Sequence, residues 1–125
     1  MKTLFAAAAA ILFTSPAIAG GIDDGASAIE LHFVKTSGWS AVVCDTEELN
    51  DRSFVYCHPV LNTSVGGLFE VTERDGKPVV HPVTGKAKQY VNAESIEAMD
   101  GGRIAVEEWG GNPAEISALI DVFQS

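Results

Sequence analysis

The chain has 125 residues, with 17 acidic side chains against 8 Lys and Arg and a formal net charge of −9 at pH 7. That balance excludes a nucleic-acid partner, because phosphate binding needs clustered Lys and Arg, and it disfavours docking on an anionic membrane surface. A hydrophobic content of 46%, carried in periodic runs between dispersed charges, excludes an acidic disordered tail.

The first residues predict a secretory signal. Met1-Lys2-Thr3 is a short positive start, and Leu4 to Phe13 is an apolar, alanine-rich run. Ser15-Pro16 predicts a helix break, and Ala17-Ile18-Ala19 is the small-x-small pattern that precedes signal-peptidase cleavage. The run is about half of the roughly 20 apolar residues that cross a bilayer, and no later stretch is longer, so no membrane span is expected. Residues 1–19 are thus read as a signal peptide and 20–125 as one small exported domain, periplasmic or secreted. Removing 19 of 125 residues leaves 106, and loss of Lys2 takes the charge to −10 with seven scattered basic residues.

Gly20 to Ser27, small and acidic, reads as a loose lead-in. Over 28–35, Ile29, Leu31 and Phe33 alternate with Glu30 and His32, the two-residue period of a half-buried strand. Ile29 and Phe33 also stand four apart, with Lys35 ahead of a possible Gly38 cap, which suits a helix. The β-branched and aromatic content favours the strand. Trp39–Cys44 and Ser53–Val60 are two further strands. Cys44 and Cys57 allow one intrachain disulfide, and in an exported chain pairing is expected. Their spacing is too wide for a redox pair, so they read as a staple, worth roughly 3 kcal/mol by loop entropy. The acidic segment between them, Asp45–Arg52, reads as an exposed loop held at its base.

The clearest local signal is Arg74-Asp75-Gly76-Lys77, which predicts a two-residue hairpin turn. It sets Arg74 opposite Lys77, Glu73 opposite Pro78, Thr72 opposite Val79, Val71 opposite Val80 and Glu70 opposite His81. Both prolines then fall where their missing N–H groups face away from the partner strand, which predicts a sheet edge over 77–83. Further on, Asn92 caps an expected short helix over 93–99, ended by Asp100-Gly101-Gly102. Arg103–Glu107 reads as a last strand. Asn112-Pro113-Ala114-Glu115 is a strong helix start, and Ile116, Leu119, Ile120 and Phe123 line one face of the helix that follows. The fold class expected is α+β: a mostly antiparallel sheet with one intrachain disulfide and a C-terminal amphipathic helix packed on one face.

Chemistry-bearing residues are sparse. His32, His58 and His81 are the candidates for metal or proton work, but none forms a local pair such as His-x-x-x-His. His81 is expected to face Glu70 as a charge pair, and His58 to point away from the disulfide. Adjacent carboxylates such as Glu47-Glu48 fall on opposite faces of a strand. Gly66-Gly67 and Gly110-Gly111 read as turn and capping glycines. No nucleophile elbow, phosphate loop or cofactor motif is present. The leading expectation is an exported, non-catalytic binding or accessory module acting through protein–protein contact. Its contact residues would be Trp109, Glu47, Glu48 and Asp51, and its partner a basic envelope or secreted protein. The alternatives are a metal-binding protein using His32, His58 and His81, and a small hydrolase whose residues meet only in space.

Overall fold

The computed structural model describes residues 14–39, 41–62 and 65–124. Residues 1–13, most of the expected signal peptide, lie outside them. The elements run α1 (Thr14–Thr36), β1 (Val42–Leu49), β2 (Arg52–Pro59), β3 (Gly67–Arg74), β4 (Lys77–Pro82), α2 (Gly85–Tyr90), β5 (Ser95–Glu97) and β6 (Arg103–Val106). A 3-10 turn (Pro113–Glu115) leads into α3 (Ile116–Gln124). The strands form one six-stranded sheet in the order β1-β2-β3-β4-β6-β5, antiparallel except for β4 with β6. The α+β class, the disulfide and the C-terminal helix on one face are all as the sequence predicts.

The segment before β1 is corrected. It is neither a loose lead-in nor a strand but the long helix α1, and Ser15-Pro16 lies within its first turn, where proline is tolerated. Ile22, Ala26, Ile29 and Phe33 are its buried residues at helical spacing, while Glu30 is exposed. The alternation that suggests a strand is a by-product of Leu31 lying at the margin of this stripe. Gly25 lets the helix approach the sheet, since a Cβ there would lie 3.0 Å from the Val71 methyl carbons. Gly38, at φ +80°, turns the chain out of the helix.

Two hairpins build the antiparallel half. The Asp75-Gly76 turn has positive φ at both residues, and the register of β3 with β4 is the one predicted. The 45–52 segment is corrected from a loop to a second hairpin, whose turn is Asn50-Asp51 (φ 52° and 65°). Asn and Asp tolerate that conformation because their short side chains bond locally. In this register Cys44 faces Cys57 directly, and the two form the disulfide.

Residues 77–83 are not an edge. β4 lies inside the sheet, paired with β6 through Val79–Ala105 and Val80–Val106, and the Glu107 N–H donates to the Val80 carbonyl at 2.9 Å. The prolines act as expected but with a smaller effect. Pro78 and Pro82 remove two donors facing β6, which leaves a parallel ladder only two residues long. The helix expected over 93–99 is also corrected. The short helix lies earlier, capped by Thr84, whose Oγ1 accepts from the Ala87 N–H, and 95–97 is a strand. Gly66 and Gly67 serve close approach: a Cβ on Gly67 would lie 3.0 Å from the Ala87 backbone, and one on Gly66 would enter the Tyr56 ring.

The two faces of the sheet carry separate cores. On one, α1 covers Val55, Cys57, Phe69, Val71 and Val80. On it Phe33 stacks on Trp39 (ring centroids 5.0 Å apart) and meets Phe69 and Tyr90 edge-on. On the other, α3 sets Ile116, Leu119, Ile120 and Phe123 against Phe54, Tyr56, Leu68 and Val83. Asn112 caps this terminal segment as predicted, its Oδ1 accepting from the Ala114 N–H at 3.0 Å. Among the described residues no helix is long and apolar enough to cross a membrane.

Candidate functional site

α3 covers only part of its face. Beside it the sheet presents a polar floor of Arg52, Glu70, Thr72 and His81, bordered by Trp109 and the glycines after it, in an open cavity of about 520 Å³. Strand alternation puts these floor residues on one side: Arg52 is two residues from Phe54, Glu70 two from Leu68, and Glu70 faces His81 in the ladder.

Glu70 is the anchor of the cavity. It is 9% exposed, and its carboxylate accepts from Arg52 Nε (3.2 Å), Arg52 Nη2 (3.0 Å) and the Trp109 indole N–H (2.8 Å). Arg52 also donates from Nη1 to Glu115 at 3.0 Å and lies over the Phe54 ring. Burial alone would raise the Glu70 pKa, but hydrogen bonds from Arg52 and Trp109, with the nearby Arg52 and His81 charges, hold it below the ordinary carboxylate value. Arg52 is raised in turn, chiefly through its hydrogen bond to Glu70 and further through Glu115. This network ties residues 109–115 to the sheet.

His81 shares the floor but is corrected in its partner. Although Glu70 stands opposite in the ladder, the ring bonds elsewhere: Nε2 lies 2.7 Å from Thr72 Oγ1 and Nδ1 lies 3.2 Å from the Glu108 carbonyl oxygen. A carbonyl only accepts, so Nδ1 carries the proton. In the neutral ring Nε2 therefore accepts from the Thr72 hydroxyl.

The three histidines are not brought together. His32, on α1, donates from Nε2 to the Tyr90 carbonyl at 3.1 Å. His58, 7% exposed on the face away from the disulfide, donates from Nδ1 to the Pro59 carbonyl at 2.7 Å and lies 3.7 Å from Asp45. Among the described residues no group of three His, Cys, Asp or Glu is placed to hold a metal ion.

The contact residues named from the sequence also separate. Trp109 is half-buried and committed to Glu70, with its ring so close over Gly111 that a Cβ there would lie 2.2 Å from Cζ2. Glu47 and Glu48 are exposed on β1, on opposite faces of an end strand, and Asp51 is at the adjoining turn. Arg52, Glu70 and Thr72 were missed by sequence reasoning. The hairpin register placed Glu70 and Thr72 on a shared face with His81, but nothing local announced that Arg52 and Trp109 meet there. Compared with protein-family models, curated proteins and solved structures, the chain has no significant match.

Proposed function

We propose that the protein is an exported binding module that takes a basic, extended segment of another protein along the outer edge of β1. The observation that carries this reading is the edge itself. β1 is eight residues long and ends the sheet, and no described residue pairs with its outer side. The disulfide ties it covalently to β2 at Cys57. With Leu49 and Arg52 flanking a two-residue turn, Cys44, Thr46 and Glu48 direct their backbone N–H and C=O groups outward.

Edges of this length are commonly blunted by lysine, proline or a bulge, and β1 has none of these. Asp45, Glu47 and Glu48 instead make it acidic. A second copy pairing antiparallel about Thr46 would set Asp45 against Glu47, which like-charge repulsion opposes. A basic strand meets the opposite condition: backbone bonds supply affinity and the alternating carboxylates supply steering. An oxidised disulfide suits the periplasmic or secreted location that the N-terminal sequence suggests.

The test is titration with an extended peptide alternating lysine and valine at low salt, followed by amide shifts. Shifts should run along 42–49, weaken as salt rises, and vanish in Thr46→Pro, which removes an outward N–H without touching the β1–β2 ladder. Binding that ignores Thr46→Pro, or no binding at low salt, would overturn the reading.

A further inference from the structure

The geometry points to an acyl-transfer site in the polar cavity, with Thr72 as nucleophile and His81 as its general base. This goes beyond edge binding and uses a different part of the molecule. Three parts of such a site are already aligned. The Thr72 hydroxyl is exposed and 2.7 Å from His81 Nε2, within the range for direct proton transfer. The Glu108 carbonyl accepts from Nδ1 at 3.2 Å, which fixes the tautomer with its basic nitrogen towards the hydroxyl. Glu70, opposite His81 in the ladder and nine-tenths buried, places a negative charge beside the imidazolium that forms on proton transfer. The arrangement is a nucleophile, a base and an orienting acceptor, with a backbone carbonyl in the last role.

The cavity supplies the remainder. Gly110 and Gly111 line it, and neither backbone N–H has an acceptor among the described residues, so both are uncommitted donors in the wall of the cavity, the kind of group that stabilises an oxyanion. Trp109 provides an apolar wall. Glu70 and Glu115 line the cavity, which disfavours anionic acids and favours a small, uncharged ester.

The reaction balances as ester plus water giving acid plus alcohol. Thr72 Oγ1 adds to the ester carbonyl carbon as its proton passes to His81 Nε2. The tetrahedral adduct breaks its bond to the alcohol oxygen, which takes that proton, leaving acyl-Thr72. Water then adds to the acyl carbon, giving its proton to Nε2. Collapse releases the carboxylic acid and returns the proton to Thr72 Oγ1. The Nδ1 proton stays on the ring throughout, donated to the Glu108 carbonyl.

The experiment is incubation of the purified protein with p-nitrophenyl acetate, with acid quench and peptide mass spectrometry. One acetyl group is expected on the peptide carrying Thr72. It should be retained in Thr72→Ser, absent in Thr72→Val, and formed about 100-fold more slowly in His81→Gln. Circular dichroism should be unchanged in all three, because Thr72 is exposed and His81 only half-buried. Acetylation confined to lysines, no acetylation, or Thr72 labelling indifferent to His81→Gln would each overturn the proposal.

Discussion

The two faces of the sheet are covered in different ways. α1 is held to its face by apolar burial: Ile29, Phe33, Phe69 and Val80 are all fully buried there, and an aromatic group of Phe33, Trp39 and Tyr90 closes one end. α3 has a smaller apolar contact, and the chain leading into it is fastened by Arg52, Glu70, Glu115 and Trp109. Burial is indifferent to pH and tolerates no open space. A charged, hydrogen-bonded fastening tolerates a cavity beside it but depends on protonation. The candidate chemistry lies on the second face because only that face leaves polar side chains a reason to be inside.

Several changes separate the two modes. The largest effect is expected from Phe33→Ala, which removes a fully buried ring at the junction of α1 and the sheet. It should cost about 3–5 kcal/mol, measured by denaturant unfolding, and release both faces together. Reducing the disulfide, or replacing both cysteines by alanine, should cost roughly 3 kcal/mol by the same measurement. It should also raise amide exchange along β1 before β3. Arg52→Met should cost about 2 kcal/mol, because it leaves the Glu70 carboxylate buried with only the Trp109 N–H. Its effect should concentrate in residues 109–124, where a failure on the α1 face would argue that the faces are not separable. Gly111→Ala is expected to be the mildest, about 1 kcal/mol, read as a change in Trp109 emission as the indole is displaced from Glu70.

Acid offers a way to break only one face. The folded Glu70 pKa lies below its ordinary value of 4.5, so its contribution is complete above that value and is lost as pH falls through the folded pKa. Protonation removes the negative charge to which Arg52 and Trp109 donate and turns one acceptor oxygen into a hydroxyl. Trp109 emission should therefore change in that acid range in a Trp39→Phe background. In a Trp109→Phe background, Trp39 should report only global unfolding.

The fold was legible where local chemistry and tertiary placement agreed. Asp75-Gly76 fixed one register, and Asn112-Pro113 with the apolar stripe after it announced the terminal helix. Asn50-Asp51 carried a weaker form of the same turn signal and was hidden by the acidic residues around it. The long helix α1 was obscured by Gly20, Gly21 and Gly25, poor helix formers, of which Gly25 packs against Val71 of the sheet. The inner position of β4 was not legible, because a short parallel ladder leaves no local pattern and the prolines point to an edge. Of the candidate site, the hairpin placed Glu70, Thr72 and His81 on one face. The approach of Arg52 and Trp109 needed the whole chain, since 39 residues separate Trp109 from Glu70.

The most direct test of the contrast between the faces is amide hydrogen exchange, compared residue by residue between neutral pH and the acid range of Glu70 after correction for intrinsic rates. The account predicts that residues 109–124 lose protection first, while Ile29 to Phe33 of α1 and the β2–β3 ladder keep theirs. Equal and simultaneous loss on both faces would show that the sheet and its two covers open as one unit, and that charge does not hold the C-terminal segment.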